Sequence, residues 1–357
     1  MILNKYYNKD IVNTFTSITL FIISIVSANL LIRLFQKAYS QGLGLDSILK
    51  FIILTLPENV TLIAPIALFL AIVTCFGKYF ANNEMFVTLA GGVTWMEMVK
   101  NTLKPTYLLT AIVFFTTMFL IPLAKQTSDI FQTSLSAKAL LSSITDGKII
   151  NAPDGRVFYI NSKSSNNLNK IFMYQRLENS KEYKILTSPT ASIESNKSAA
   201  FIDFKKAHIY TRDTDSFKSS YGTADKAIYT IYDNSIRDYN HERMDRKFMG
   251  ELIAKSFEGQ RKYTAELFAR LNNCISIIVA GLIAISMCQL RPRQNKYAKL
   301  LPSVVVLAIY LCSNMFINTS MGSGGVPPWI GIWLPHIFFI IFAIKAIRKQ
   351  NGSSIKG

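Results

Sequence analysis

Three histidines and four cysteines are the only imidazoles and thiols among 357 residues. His208, His241 and His336 lie far apart, without the spacing that zinc ligation needs. Cys75, Cys274, Cys288 and Cys312 all fall inside long apolar runs, so no disulfide framework holds the polar part of the chain. There is no Gly-x-x-x-x-Gly-Lys-Ser/Thr phosphate loop and no nucleophile elbow. The chain is therefore expected not to be an enzyme and to carry no cofactor or metal. Acidic residues are also few, 22 against 39 Lys and Arg, and the apolar runs are almost bare of them. Ion-coupled carriers need ionisable groups at mid-membrane to bind and release the driving ion. Glu58, beside Pro57 at the mouth of the second run, and His336, near the outer end of the sixth, do not make such a relay. A proton-driven carrier is disfavoured, and any energy spent must come from outside the chain.

Apolar residues make up half of the sequence, and they are clustered. Ile11 to Ile32 is 22 residues without a charge, roughly 33 Å as a helix and enough to cross a bilayer core. Asn59 to Gly77, Pro105 to Ala124 and Leu271 to Leu290 are similar. Leu300 to Ile344 is too long for one span, and Gly322-Ser323-Gly324-Gly325 with Pro327-Pro328 divides it in two. Six spans result, with Pro65 expected to bend the second. The first run follows Lys5 and Lys9 and is followed by Val26-Ser27-Ala28, but it exceeds a signal core and reads as a retained anchor.

Lysine and arginine beside the spans set the orientation. With both termini inside, the inner pieces carry 13 basic residues, whereas the two short outer loops carry three, Arg33, Lys37 and Lys50. Much of the net charge of +17 is thus topology, and nucleic-acid binding is not needed to explain it.

Between the second and third spans lies a polar island, Lys78 to Lys104, with the grammar helix, break, helix. Asn82 and Asn83 are placed to cap a short helix bearing Glu84 in its first turn and Met85, Phe86 and Leu89 on one side. Gly91-Gly92 stops it. Thr94-x-x-Glu97 is a capping box for a second helix through Met96, Val99 and Leu103, which is expected to loosen before Pro105. So short a first helix needs a surface to lie on, either its own spans and membrane interface or a groove on a partner.

The segment from about 125 to 265 changes period. Ile171 and Met173, then Ile202 and Phe204 alternating with Asp203 and Lys205, then Ile228 and Tyr232, read as strands. Turn signals at Pro153-Asp154-Gly155, Asn166-Asn167, Pro189 and Tyr221-Gly222 suit an antiparallel sandwich or open barrel. Val157 to Ile160 and Ala227 to Tyr232 are apolar on both faces, as in a well-covered sandwich or a greasy groove between sheets. From Lys247 to Asn272 an amphipathic helix is expected to lead into the fourth span.

Two blocks carry a resemblance: Pro57-Glu58, Pro65, Leu68-Phe69-Leu70, Gly77-Lys78, Glu84 and Gly92, then Glu266-Leu267, Arg270, Pro292-Arg293-Gln294 and Leu301-Pro302. In their order and spacing the chain resembles the LptF/LptG permease family, membrane subunits of the lipopolysaccharide transport machine, and more specifically its LptF branch. The resemblance implies a polytopic α-helical membrane protein with an inserted all-β domain of jellyroll type. Residues 1–124 would hold spans one to three with a coupling helix at about 82–92, residues 125–265 the periplasmic jellyroll, and residues 266–357 spans four to six. It implies a bacterial inner-membrane heterodimer with an LptG-like paralogue, seated on an LptB-like ATPase dimer that holds the ATP and Mg. An LptC-like single-span protein, an LptA-like periplasmic bridge and lipopolysaccharide complete the implied partners. Glu84, Met85, Phe86, Leu89 and Gly92 would couple to the ATPase. Arg33, with Lys37 one turn on, would meet lipid phosphates; as bare residues, the two equally suit a snorkelling anchor at the helix end. The competing readings are a mechanotransmission or scaffold protein that carries no lipid, and a secondary carrier.

Overall fold

Stretches this apolar must satisfy every backbone group internally to cross a bilayer, which leaves the helix as their form. In a computed structural model of the chain, which describes residues 2–41, 45–129, 131, 147–151, 156–164, 167–176, 182–195, 199–213, 219–233, 244–290 and 294–353, six helices are long and apolar enough to do so. They cover Leu3–Gln36, Ile48–Ala81, Trp95–Asp129, Arg261–Met287, Leu300–Ser323 and Pro328–Gln350. The first three charge-free runs sit inside longer helices, the fourth ends just past its helix at Leu290, and the last is divided between two. The chain divides into two compact units, one of residues Met1–Leu30, Ile52–Gln126 and Arg243–Gly357, the other of Leu31–Phe51 and Thr127–Glu242.

The chain opens with α1 (Ile2–Gln41) and α2 (Leu45–Ala81), whose larger parts belong to the first unit, followed there by a short α3 (Glu84–Ala90) and α4 (Trp95–Phe115). Pro57 and Pro65 lie within α2 and Pro105 within α4. The expected loosening before Pro105 does not occur: the helix runs through it and continues by a π-helical turn, Thr116–Leu120. Thr116 and Thr117 donate their hydroxyls to the carbonyls of Ile112 and Val113 at 2.9 and 2.8 Å, bonds that accompany the wider turn. The expected amphipathic helix before the fourth span is in fact two, α5 (Met249–Phe257) and α6 (Arg261–Met287). Gly259 separates them at φ +79, a backbone shape that L side chains disfavour. The last pair of spans is α7 (Leu300–Ser323) and α9 (Leu334–Ser353), joined through Gly324 and the one-turn α8 (Pro328–Gly331). Arg261 holds that turn from α6, donating Nη2 to the carbonyls of Gly324 and Val326 at 2.5 and 3.2 Å.

The core of this unit gathers around α6, where Ile277, Val279, Ala280, Ile283 and Ala284 are buried. Small residues let helices approach closely here. A Cβ on Gly281 would come within 3.2 Å of Thr106 in α4. Gly77 in α2 is tighter, since a Cβ there would meet the backbone carbonyl oxygen of Lys296 at 2.5 Å. Gly77→Ala therefore forces α2 and the 294–299 turn apart and is expected to cost about 1–3 kcal/mol. A lowered unfolding midpoint in detergent is the expected reading, while an unchanged midpoint would mean that the turn yields freely.

The second unit contains a six-stranded antiparallel sheet in the order β1-β2-β3-β4-β5-β6, built from Lys148–Asn151, Val157–Ser164, Asn167–Arg176, Glu182–Ser195, Ala199–Asp213 and Ser219–Asp233. The described strands form one meander. The turn signals at Pro189 and Tyr221-Gly222 prove to lie inside β4 and β6, and the one at Pro153-Asp154-Gly155 lies outside the described residues. Pro189 has no N–H to give to a ladder. The ladders step over Asn161, Lys170, Pro189, Lys206 and Asp225 without a change of register on either side, and these five positions form a line across five strands. Lys170 and Lys206, which flank Pro189 in the neighbouring strands, have φ of 47° and 53°. Ser188 bridges the gap, donating to the carbonyls of Thr190 and Lys205 at 2.7 and 2.6 Å.

The line acts as a crease. Below it β4 buries Leu186 and Ser188 and above it Ala191 and Ile193; β5 buries Ile202 and Phe204, then Ala207. The inward set changes from even to odd numbers at the crease, so one physical face stays apolar across both halves of the sheet. Phe158, Ile160, Ile171, Met173 and Tyr229 complete that face.

Candidate functional site

The polar island folds as its local signals require. Thr94 accepts from the Glu97 amide at 3.3 Å, and the Glu97 carboxylate accepts from the Thr94 amide at 3.1 Å, which closes the capping box. Gly91 donates to the carbonyl of Val87, and Gly92, at φ +93, donates to that of Leu89. The start of α3 departs from expectation: Asn83 sits in the left-handed region at φ 62 and its side chain makes no cap bond. Asn82 instead donates Nδ2 to Glu84 Oε1 at 3.0 Å. Left-handed asparagine is a common way to turn sharply between two helices.

Burial divides α3 into an anchored side and an open side. Met85 is fully buried in the helical core, and Phe86 and Leu89 pack against it. The surrounding aromatic cage includes Phe76 against Trp95 at 5.8 Å and Phe80 against Phe86 at 5.4 Å, both edge to face. Met85 thus faces its own spans rather than outward, because the Asn82-Asn83 turn folds α3 back onto α2 and α4. The open side holds Val87, 70% exposed, with Asn83, Ala90, Gly91 and Gly92, and Glu84 stands half-buried at its edge.

The start of α1 also belongs to this site, although no motif marks it. Tyr6 donates to Glu84 Oε2 at 3.5 Å, and Tyr7 exchanges a hydrogen bond with Thr88 at 2.9 Å. One turn on, Asp10 accepts from Tyr79 at 2.9 Å and pairs with Lys78 at 3.4 Å. A groove of about 510 Å³ results, lined by Leu3, Tyr6, Tyr7, Asn82, Asn83, Glu84, Val87 and Thr88. Its shape and mixed lining suit a protein segment, since exposed Val87 offers an apolar contact and Glu84 a charge. The one available signal was the helical spacing of Leu3, Tyr6, Tyr7 and Asp10, which sets them on one side of α1.

Arg33 is exposed on α1, and no carboxylate pairs with it among the described residues; the Lys37 side chain lies outside them. Their positions on α1 are one turn apart, as expected, and α1 does not bring them to the α3 groove. Glu58, at the mouth of the second span, is bonded by Lys125 at 2.8 Å, and Lys125 also holds Asp245 at 2.9 Å. Gln126 donates to the carbonyl of Arg246 at 2.9 Å. These bonds join residues 245–246 to the second and third spans within the helical unit.

Polar groups also meet within the spans. Asn272 donates to Asn314 and Asn318 at 2.5 Å each, and Tyr310 bonds His336 Nδ1 at 2.9 Å, with His336 fully buried. These bonds join α6 to α7 and α7 to α9, as polar residues commonly do between membrane helices. Among the described residues no group of three or more His, Cys, Asp or Glu is arranged to hold a metal ion.

Comparison with known proteins agrees with this architecture. The family profile described as "Lipopolysaccharide export system permease LptF/LptG" matches residues 5–349. The lipopolysaccharide export system permease protein LptF of Escherichia coli K12 is 18% identical over 346 residues, covering 96% of this chain and 94% of that protein. The LptF proteins of Escherichia coli O157:H7 and Shigella flexneri match with the same identity and coverage. With one profile spanning nearly its whole length, the chain belongs to the LptF/LptG family of lipopolysaccharide export permeases.

Proposed function

We propose that this permease is the membrane subunit of an ATP-driven lipopolysaccharide extractor, working as a heterodimer with an LptG-like paralogue on an LptB-like ATPase dimer that binds ATP and Mg. In this reading it lies in the bacterial inner membrane with both termini in the cytoplasm, because 13 flanking basic residues against three favour that orientation. The observation that carries the reading is the build of α3. One side of it is locked into the spans through Met85, Phe86 and Leu89, so a push on its open side moves the spans with it.

Lipid then enters sideways from the outer leaflet, its phosphates meeting Arg33 and Lys37. Closure of the ATPase reaches the spans through Glu84, Val87 and the turn at Gly92. The creased sheet serves as the jellyroll module that takes the lipid toward an LptA-like bridge, with an LptC-like helix seated beside the spans. An inward apolar face with a fold line at Pro189 is the surface a closing sheet needs to enclose acyl chains.

Purification of the full chain in mild detergent, followed by mass spectrometry of proteins and lipids, tests the assembly. Both an ATPase and glycolipid are expected to accompany it, and a scaffold without lipid is the answer if only protein does. For the phosphate site, Arg33→Glu is expected to reduce photocrosslinking of glycolipid to α1 by roughly tenfold, since reversing one charge of a charge-assisted contact removes about 1.5–3 kcal/mol. An unchanged crosslink yield would return Arg33 to the role of helix anchor.

A further inference from the structure

A second groove, of about 450 Å³, opens between the N-terminal part of α1 and α4, and none of the residues proposed for ATPase coupling or for the lipid phosphates of the export path lines it. Its wall carries Lys5, Lys9 and Lys104 together with Asn8, Val12, Pro105 and Leu108. The three lysines are exposed, and none has a carboxylate partner among the described residues. Lys5 and Lys9 stand one turn apart on α1, and Lys104 faces them from α4. The two helices are pinned beside the groove by Asn101 of α4, which donates Nδ2 to Asn4 Oδ1 at 2.8 Å.

Two further observations point to a ligand. Asn8 lines the same groove, and its Oδ1 is shielded from solvent without a hydrogen-bond partner; such an acceptor is costly to leave unmet. Leu108 is also the first of an exposed apolar row, Leu108, Ile112 and Phe115, that continues along α4 into the span. A cation cluster, a shielded acceptor and an adjoining apolar track at a span end match one chemistry. They match an anionic phosphate ester, with a donor on its headgroup and acyl chains attached.

We propose that this groove is a binding site for an anionic phospholipid of the inner leaflet, distinct from the outer-leaflet export path. The lysines hold the phosphate, the Asn8 side chain turns so that its Oδ1 accepts from a headgroup hydroxyl, and the acyl chains lie along α4. Basic pockets between helices on the cytoplasmic side are suited to such headgroups. The leaflet rests on the orientation given above, whereas the binding itself does not.

The test is native mass spectrometry of the detergent-purified full chain, with the partners it retains, titrated with phosphatidylglycerol. The triple variant Lys5→Gln, Lys9→Gln, Lys104→Gln is expected to bind at least about tenfold more weakly. The charge-matched control Lys345→Gln, Arg348→Gln, Lys349→Gln is expected to bind as wild type. Equal loss in both, or no loss in the first, overturns the site. Wild type is expected to prefer phosphatidylglycerol over phosphatidylmethanol, which carries the same single charge but no headgroup hydroxyl, and Asn8→Leu to abolish that preference; no preference in wild type, or one retained in the variant, overturns the role of Asn8. Glycerol phosphate, without acyl chains, is expected not to displace the lipid, and displacement would overturn the lipid assignment. A C-terminal reporter active only in the cytoplasm reads orientation separately, so failure there changes the leaflet and leaves the binding result standing.

Discussion

Glu84→Lys is expected to leave the chain inserted and folded while the ATPase no longer copurifies with it. The local cost is small. The carboxylate holds two contacts, Asn82 Nδ2 at 3.0 Å and Tyr6 at 3.5 Å, both exposed, and a charge reversal in the first turn of a helix is worth about 0.3–1 kcal/mol for each charge added or lost. Met85, Trp95 and the capping box, which hold α3 in place, are untouched. Across a protein interface the same reversal costs about 2–5 kcal/mol when it removes one member of a buried charge pair. At the lower bound this is roughly a 30-fold loss of affinity. Two measurements separate the effects: the unfolding midpoint of the chain alone, expected to stay near wild type, and ATPase recovered on the same affinity resin, expected to fall. Full recovery of ATPase, with lipid release intact, would remove Glu84 from the coupling surface.

Val87 offers a finer contrast at this site. Val87→Asp changes no buried packing, since the side chain is 70% exposed. Met85→Asp, by contrast, places a charge in a fully enclosed position and is expected to unfold the end of the spans that carries α3. Coupling defects of the two would have opposite causes, one at the surface and one in the core.

Features written in short-range chemistry were the most legible in the sequence. Charge-free runs gave six spans, Thr94-x-x-Glu97 gave a helix start, and Gly91-Gly92 gave a helix stop, because each depends only on neighbours within a turn or on total apolarity. What depended on direction was less legible. Met85, Phe86 and Leu89 could be read as one side of a helix, yet which way that side points is decided by the left-handed Asn83, and an Asn-Asn pair does not announce its φ. The contribution of Tyr6 and Tyr7 rests on contacts about 80 positions away in the chain.

The sheet illustrates a different limit. A strand is recognised by an unbroken alternation, but here the alternation is reset at Pro189, Lys170 and Lys206, so β3, β4 and β5 each look like two short patterns with a turn between. Pro189 reads as that turn. In the fold it is the midpoint of a 14-residue strand, and the neighbouring strands adopt positive φ opposite it instead of slipping register. Three strands bending together keep their pairing, which is why the apolar face survives on both sides.

Arg270→Met is expected to have the largest effect on stability in the helical unit. Arg270 is 4% exposed and uses every arm of its guanidinium. Nε donates to Glu266 Oε1 at 2.9 Å, Nη1 to the carbonyl of Lys247 at 2.9 Å, and Nη2 to the carbonyls of Met244 and Asp245 at 3.2 and 3.1 Å. It therefore ties the segment leaving the sheet to α6 from below, while Lys125 and Gln126 tie it from the side. Removing the cation leaves Glu266 without its partner and three carbonyls short of a donor, a loss of about 3–5 kcal/mol by the measure of buried pairs broken on one side. Arg270→Lys restores the charge but not the fork, because an ammonium on a flexible stem cannot reach carbonyls in three directions together with a carboxylate. The lysine variant is expected to recover less than half of the loss. Unfolding midpoints in detergent rank the three proteins, and limited proteolysis within residues 244–247 reports whether the segment has come free. A Met variant that melts with wild type and resists cleavage would show that the segment is held by Lys125 and Gln126 alone.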